Sequence, residues 1–238
     1  MKKSTLLLFT LIVSKIVSQN MAVSDASLYQ QEGNLAEAKK SIDKAVVHEK
    51  TSIEPKAWYY KGLIYSDIFA SKDPAVRMLS DSANSVAVNA FYKAISLENK
   101  EKGTYTKKSK EGLDNISAHS INEGVANFEK KDMAKAKTNF EVALRAKPSD
   151  TVAATNVLVA CQYLKDTLCI VDSYKRMAAN GKEKAEYYYW SYLYYQKRDT
   201  TAAFKALEEG LAKFPNNKIF IQNYIEELFA AKKYAKVK

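Results

Sequence analysis

The sequence predicts an all-α protein built as an array of helical hairpins, and three observations carry this. Gly and Pro number only 7 and 4 in 238 residues, under half the usual combined share of about 12%, so turns are few and helices long. Apolar residues recur at steps of three and four along most of the chain, and no Val/Ile/Thr-rich alternating run bounded by glycine occurs, which leaves little material for a sheet. A small residue between bulky ones on one helical stripe also returns repeatedly. Its clearest instance is Pro55-Lys56-Ala57-Trp58-Tyr59-Tyr60-Lys61-Gly62-Leu63-Ile64-Tyr65. Trp58, Gly62 and Tyr65 share one face, and the glycine lets a second helix approach closely.

The N-terminus reads as an export signal rather than as part of the fold. Lys2-Lys3 precedes an apolar run, Thr5 to Val13, and then Ser14 to Asn20. That run falls short of the about 20 apolar residues that span a bilayer. Cleavage is expected after Ser18, with an uncleaved anchor as the alternative. No cysteine lies nearby to carry a lipid. Residues 1–18 are thus a signal peptide, and 19–238 an exported, periplasmic chain with no transmembrane span. Loss of Lys2, Lys3 and Lys15 takes the formal charge from +10 to +7. The remaining lysines are dispersed. They imply a solvated surface, or a weak attraction to an anionic envelope surface, and no nucleic-acid partner.

The elements follow in order. A helix over Met21 to Glu32 turns at Gly33-Asn34 into a second with Ala38, Ile42 and Ala45 on one face. The Trp58 helix runs to about Ala70. Asp73 caps a restart at Pro74, after which Val76, Leu79, Ala83, Val86, Ala90, Ala94 and Leu97 form one stripe, a continuous helix of roughly 37 Å. Thr104 to Lys130 is one long helix or two joined near Gly112. Lys131-Asp132 turns into a helix bearing Ala136, Phe140 and Ala143, closed by Pro148. Asp150 caps Thr151 to Leu164, Asp166-Thr167 turns into Leu168 to Ala179, and Asn180-Gly181 stops it. Glu183 to Gln196 follows. Asp199 caps a helix with Ala203, Leu207 and Gly210, closed by Pro215. Asn217 caps a last helix to Ala231, and Tyr234-Ala235-Lys236 begins another.

Phe140/Ala143/Pro148 and Leu207/Gly210/Pro215 stand 67 residues apart, close to twice the about 34-residue period of a helix-turn-helix repeat. Ala57-Trp58-Tyr59…Gly62…Tyr65 is similar to the first helix of a tetratricopeptide repeat. Ala87…Phe91-Tyr92-Lys93-Ala94-Ile95…Leu97 resembles the second helix, and Gly33-Asn34-Leu35-Ala36-Glu37-Ala38 resembles the turn. The resemblance covers about residues 20–236. It implies a right-handed α-α superhelix, with units at 19–54, 55–99, 100–148, 149–182 and 183–215 and a partial sixth at 216–238. The chain departs from the pattern by about a dozen extra residues before Ala87 and by an extension between Glu98 and Ser117, so a longer or re-registered helix pair is expected there.

The resemblance implies that a protein or peptide partner lies in a concave groove walled by the first helices. Carried over position by position, that groove holds Tyr59, Leu63 and Ser66, then Ile121, Val125 and Phe128, then Thr155, Val159, Gln162 and Tyr163, then Tyr188, Tyr192 and Tyr195. The run Tyr187-Tyr188-Tyr189-Trp190-Ser191-Tyr192-Leu193-Tyr194-Tyr195 is the most aromatic in the chain. Tyr187, Trp190 and Tyr194 are expected to pack inward and Tyr188, Tyr192 and Tyr195 to face the groove, where they would touch a peptide or, as the alternative, an envelope glycan. Filling a wide inter-repeat core is the other reading of these rings. Val23 and Ser27 stand where a carboxylate clamp would place Lys and Asn.

No catalytic chemistry is expected. His48 and His119 lie in different units, no cluster has metal-ligand spacing, and neither a phosphate loop nor a nucleophile elbow occurs. No cofactor is expected. Cys161 and Cys169 flank the turn of the fourth hairpin and could face each other, as a disulfide in an oxidising compartment or as two buried thiols.

Overall fold

The computed structural model of the chain describes residues 21–230 apart from Asn180 and Lys182. The expected export signal, the Asn180 helix stop and the helix start at Tyr234-Ala235-Lys236 lie outside the described residues. Those residues form helices α1 (21–31), α2 (Leu35–Val47), α3 (Pro55–Ala70), α4 (Pro74–Arg77), α5 (Ala83–Glu98), α6 (Thr104–Glu129), α7 (Met133–Ala146), α8 (Thr151–Tyr163), α9 (Thr167–Ala179), α10 (Ala185–Tyr195), α11 (Thr200–Lys213) and α12 (Lys218–Ala230). No strand occurs among them. They divide into two compact units. The first holds the described residues up to Glu123 with Val142–Pro148, and the second holds Gly124–Glu141 with Ser149 onward.

Three of the hairpin turns have one construction. Gly33, Lys131 and Lys165 adopt left-handed backbone with φ of 78°, 62° and 55°. The next amide in each case reaches back across the helix end, from Asn34, Asp132 and Asp166 to the carbonyls of Tyr29, Asn127 and Cys161 at 2.8, 2.9 and 3.0 Å. This satisfies carbonyls that the helix terminus leaves over. The same Asn or Asp then caps the following helix, accepting from the amides of Glu37, Lys135 and Cys169 at 3.3, 3.1 and 3.1 Å. Asp199 does likewise for Ala202 at 3.0 Å. The residue four after each cap, Ala38, Ala136, Ile170 or Ala203, is buried. The cap thus sets the rotational phase that turns an apolar stripe inward.

The close approach of helices rests on aromatic rings seated against glycines. A β-carbon on Gly62 would lie 2.5 Å from Cδ1 and Cε1 of the Phe91 ring, and one on Gly112 would lie 2.4 Å from Cζ of the same ring. Phe91, fully buried, therefore joins α3, α5 and α6. Gly112 is a contact position in one unbroken 26-residue helix, not a joint between two. Gly124 seats Phe140 in the same way, with 2.4 Å left for a β-carbon. Between α2 and α3, Asp43 accepts from Lys61 Nζ at 2.9 Å and from the Tyr65 hydroxyl at 2.8 Å.

One expected element is corrected. The stripe from Val76 to Leu97 is not a continuous helix. Asp73 caps α4 through the Ala75 amide at 2.9 Å, but α4 lasts four residues. Its hydrogen bonds then contract to an i→i−3 pattern, Leu79 to Val76 at 3.0 Å and Ser80 to Arg77 at 3.4 Å. Ser80-Asp81-Ser82 supplies side chains that compete with helical backbone bonding, and α5 restarts at Ala83. Val76 from α4 and Leu79 from the turn after it pack onto the first unit's core.

Cys161 and Cys169 are joined as a disulfide across α8 and α9, with Cα atoms 5.8 Å apart.

Two outcomes follow from this packing. Gly62→Ala should lower unfolding free energy by about 1–3 kcal/mol, because the Phe91 ring is held on both sides and cannot yield; urea denaturation reads this directly. Reduction of Cys161–Cys169 should raise the free-thiol count from zero to two and cost roughly 2–3 kcal/mol, visible as a lowered melting temperature in dithiothreitol.

Candidate functional site

The first helices of the hairpins carry the candidate residues, and the two units present them differently. In the first unit, Tyr59 is half-buried in a ring cluster, 5.3 Å from Tyr60, 6.1 Å from Phe91 and 5.6 Å from Tyr105. Lys108 Nζ lies 5.7 Å from its centroid. Burial pushes its hydroxyl above the usual tyrosine value. Leu63 and Ser66 open onto a cleft of about 220 Å³ between α3 and α6, shared with Asp67, Phe69, Asn115 and His119. His119 stands edge-on to Phe69 at 4.9 Å. Gln30 Nε2 donates to Asp67 Oδ2 at 2.7 Å. Burial nevertheless pushes the Asp67 carboxyl above its usual range.

In the second unit, the C-terminal turns of α6 and α8 bring Phe128 and Tyr163 together. Their rings meet edge-to-face at 5.2 Å and 90°, a geometry that the ring quadrupoles favour. Tyr163 is 64% exposed and Val125 is 42% exposed. Val159 is half-buried and Gln162 is exposed. This pair stands at two of the sequence-predicted positions.

The aromatic helix α10 corrects the expectation. Tyr188 and Tyr192 are 5% and 2% exposed and lie in a core with Ala203, Leu207 and Phe220. Tyr187, Trp190 and Tyr194, expected to pack inward, are only half-buried. The physical reason is the partner supplied to each phenol. Tyr192 Oη donates to Glu227 Oε1 at 2.9 Å, and Tyr188 Oη donates to the Glu183 carboxylate. A tyrosine can go inside once its hydroxyl is satisfied. Burial, reinforced by these acceptors, pushes both hydroxyls well above the ordinary value. Tyr195 remains half-buried, with its ring 4.9 Å from Tyr194, and Arg198 stacks 4.5 Å over Tyr194.

Sequence reasoning singled out no residue of α12. Ile221 and Phe229 are 40% and 51% exposed and line, with Lys218, Gln222, Ile225 and Glu226, an open depression of about 510 Å³. The signal was present, because Ile221, Ile225 and Phe229 recur at steps of four on one face.

Among the described residues no group of three or more His, Cys, Asp or Glu could hold a metal ion. No helix among them is long and apolar enough to cross a membrane.

The hairpin geometry defines the class, an all-α array of helical hairpins whose fold is similar to that of tetratricopeptide solenoids. The marks are the glycine of a first helix under an aromatic ring of a second, the capped turn, and the buried residue four beyond the cap. No protein-family model matches the sequence, and no curated protein matches it. Among solved structures, the chain is similar to PilW, a widely conserved type IV pilus biogenesis factor, at 15% identity over 87% of this chain and 98% of that one, with a TM-score of 0.35. It is similar to a tetratricopeptide repeat protein from Parabacteroides merdae at 12% identity, over 92% and 76% of the two chains, with a TM-score of 0.32. It is also similar to Pseudomonas aeruginosa PilF at 16% identity, over 92% and 99%, with a TM-score of 0.31.

The buried phenols lead to an alkaline prediction. The folded pKa values of Tyr188 and Tyr192 lie above the unfolded value of about 10. Their contribution is therefore fully present below about pH 10 and is lost as pH rises through the raised folded values. Phenolate absorbance from these two residues should appear together with loss of helical circular dichroism. Ionisation of both in a chain that keeps its full helical signal would contradict the assigned burial.

Proposed function

We propose that this protein is a non-catalytic scaffold of the bacterial cell envelope that holds a peptide or helical segment of a protein partner against its first helices. The observation that carries this reading is the exposed Tyr163 ring set edge-on to the half-buried Phe128 ring, flanked by Val125 and Val159. Exposed apolar surface of this kind, rimmed by polar residues such as Gln162, marks a protein contact. Two fixed rings offer contact area at low entropic cost. The export-like sequence of residues 1–18 supports the compartment. The alternative of a glycan face on α10 loses its basis, because Tyr188 and Tyr192 are committed to the core.

The test is capture from envelope extract with the tagged full chain under crosslinking. A protein recovered by the wild type should be lost with Tyr163→Ser, because truncating an aromatic anchor costs about 2 kcal/mol, roughly thirtyfold in Kd. The residue is exposed, so the melting temperature should hold. Equal recovery by Tyr163→Ser and Val125→Ser would remove this surface from the partner interface.

A further inference from the structure

We propose that the cleft between α3 and α6 of the first unit receives one cationic side chain, the ammonium of a lysine or the guanidinium of an arginine. It rests on the scaffold reading insofar as the partner supplies that side chain. The cleft is about 220 Å³, smaller than the roughly 300–1,000 Å³ of small-molecule sites. It has the size for a side chain rather than a metabolite.

Its walls are of two kinds. Leu63, Ala70, Ile116 and the edge of Phe91 are apolar and suit the methylenes of a long basic side chain, which clothe themselves against such surface while the charge reaches a polar end. The polar end consists of groups that accept. Asp67 presents a half-buried carboxylate whose Oδ2 is engaged by the neutral amide of Gln30 at 2.7 Å. No ion pair to Asp67 occurs among the described residues. Asn115 and His119 line the same space. The Ser66 hydroxyl, shut off from solvent, has no hydrogen-bond partner.

A desolvated carboxylate without a cation is costly, and the cost is relieved by protonation or by a counter-charge. Raised affinity for a proton is the first sign of this at Asp67. The protein's own nearby cations are committed elsewhere. Lys61 pairs with Asp43 at 2.9 Å, Arg77 pairs with Glu123 at 3.3 Å, and Lys108 lies over Tyr59. The missing charge therefore comes from outside the chain. A carboxylate or phosphate ligand would meet Asp67 head-on, so anions are excluded.

The experiment titrates the full chain with N-acetyl-lysine methylamide and with its uncharged isostere N-acetyl-norleucine methylamide, read by amide NMR. The lysine probe should give saturable shifts confined to residues 63–70 and 112–119. Affinity should fall about tenfold or more with norleucine, and likewise in Asp67→Asn, because a hydrogen bond to a charged group is lost. Asn115→Lys, at an exposed position, would place a resident ammonium beside Asp67 and should abolish probe binding in a folded chain. Absence of saturable shifts, equal affinity for norleucine, or binding unchanged in both variants would overturn the proposal. The probe needs no partner, so its failure leaves the Tyr163 capture result standing, and loss of that result leaves the cleft's affinity as measured.

Discussion

Phe91 between Gly62 and Gly112 is the contact on which the first unit depends. Three helices from separate stretches of chain converge on one ring, and a single methyl group on either glycine would collide with it. The ring is fully buried, so it makes dispersion contacts all round. This explains why the chain uses glycine inside helices, where it costs about 1 kcal/mol relative to alanine. The lost propensity is offset by close helix approach that no larger residue permits. Phe140 on Gly124 repeats the device in the second unit, which is how a chain of marginal hairpins acquires specific packing.

The capped turns are the complementary constraint. A left-handed residue and a following Asn or Asp satisfy the end of one helix and the start of the next within two positions. Because the cap also sets the phase of the second helix, the residue four later is buried at each of these turns. Lys131 and Lys165 hold left-handed backbone without being glycine. This is tolerated where the 6→1 hydrogen bond and the neighbouring aspartate cap over-determine the conformation.

The candidate surface is what remains after these demands are met. In α10 seven aromatics in nine residues offer apolar area around the whole helix, so which rings go inside is decided by hydroxyl partners. Glu227, 35 residues further along, accepts from Tyr192 and draws that ring into the core. Tyr163 remains outside, its ring edge-on to that of Phe128. Asp67 is the opposite case, a charged group drawn partly inside with a neutral partner, and that imbalance makes its cleft a recognition element.

By itself, the sequence determined the helical class, the hairpin turns and the small-residue contact positions, because these depend on local signals: cap residues, period-3.6 spacing and glycine between bulky neighbours. The break at Ser80–Ser82, the unbroken course of α6 through Gly112 and the burial of Tyr188 and Tyr192 were decided only in three dimensions. Periodicity reports a face only where that face differs from its opposite. The α10 helix is apolar all round, and the α4–α5 stripe continues in phase across a polar gap. Selection among such equivalent arrangements comes from contacts distant in sequence, Glu227 on Tyr192 and Gly112 on Phe91, which no local window contains.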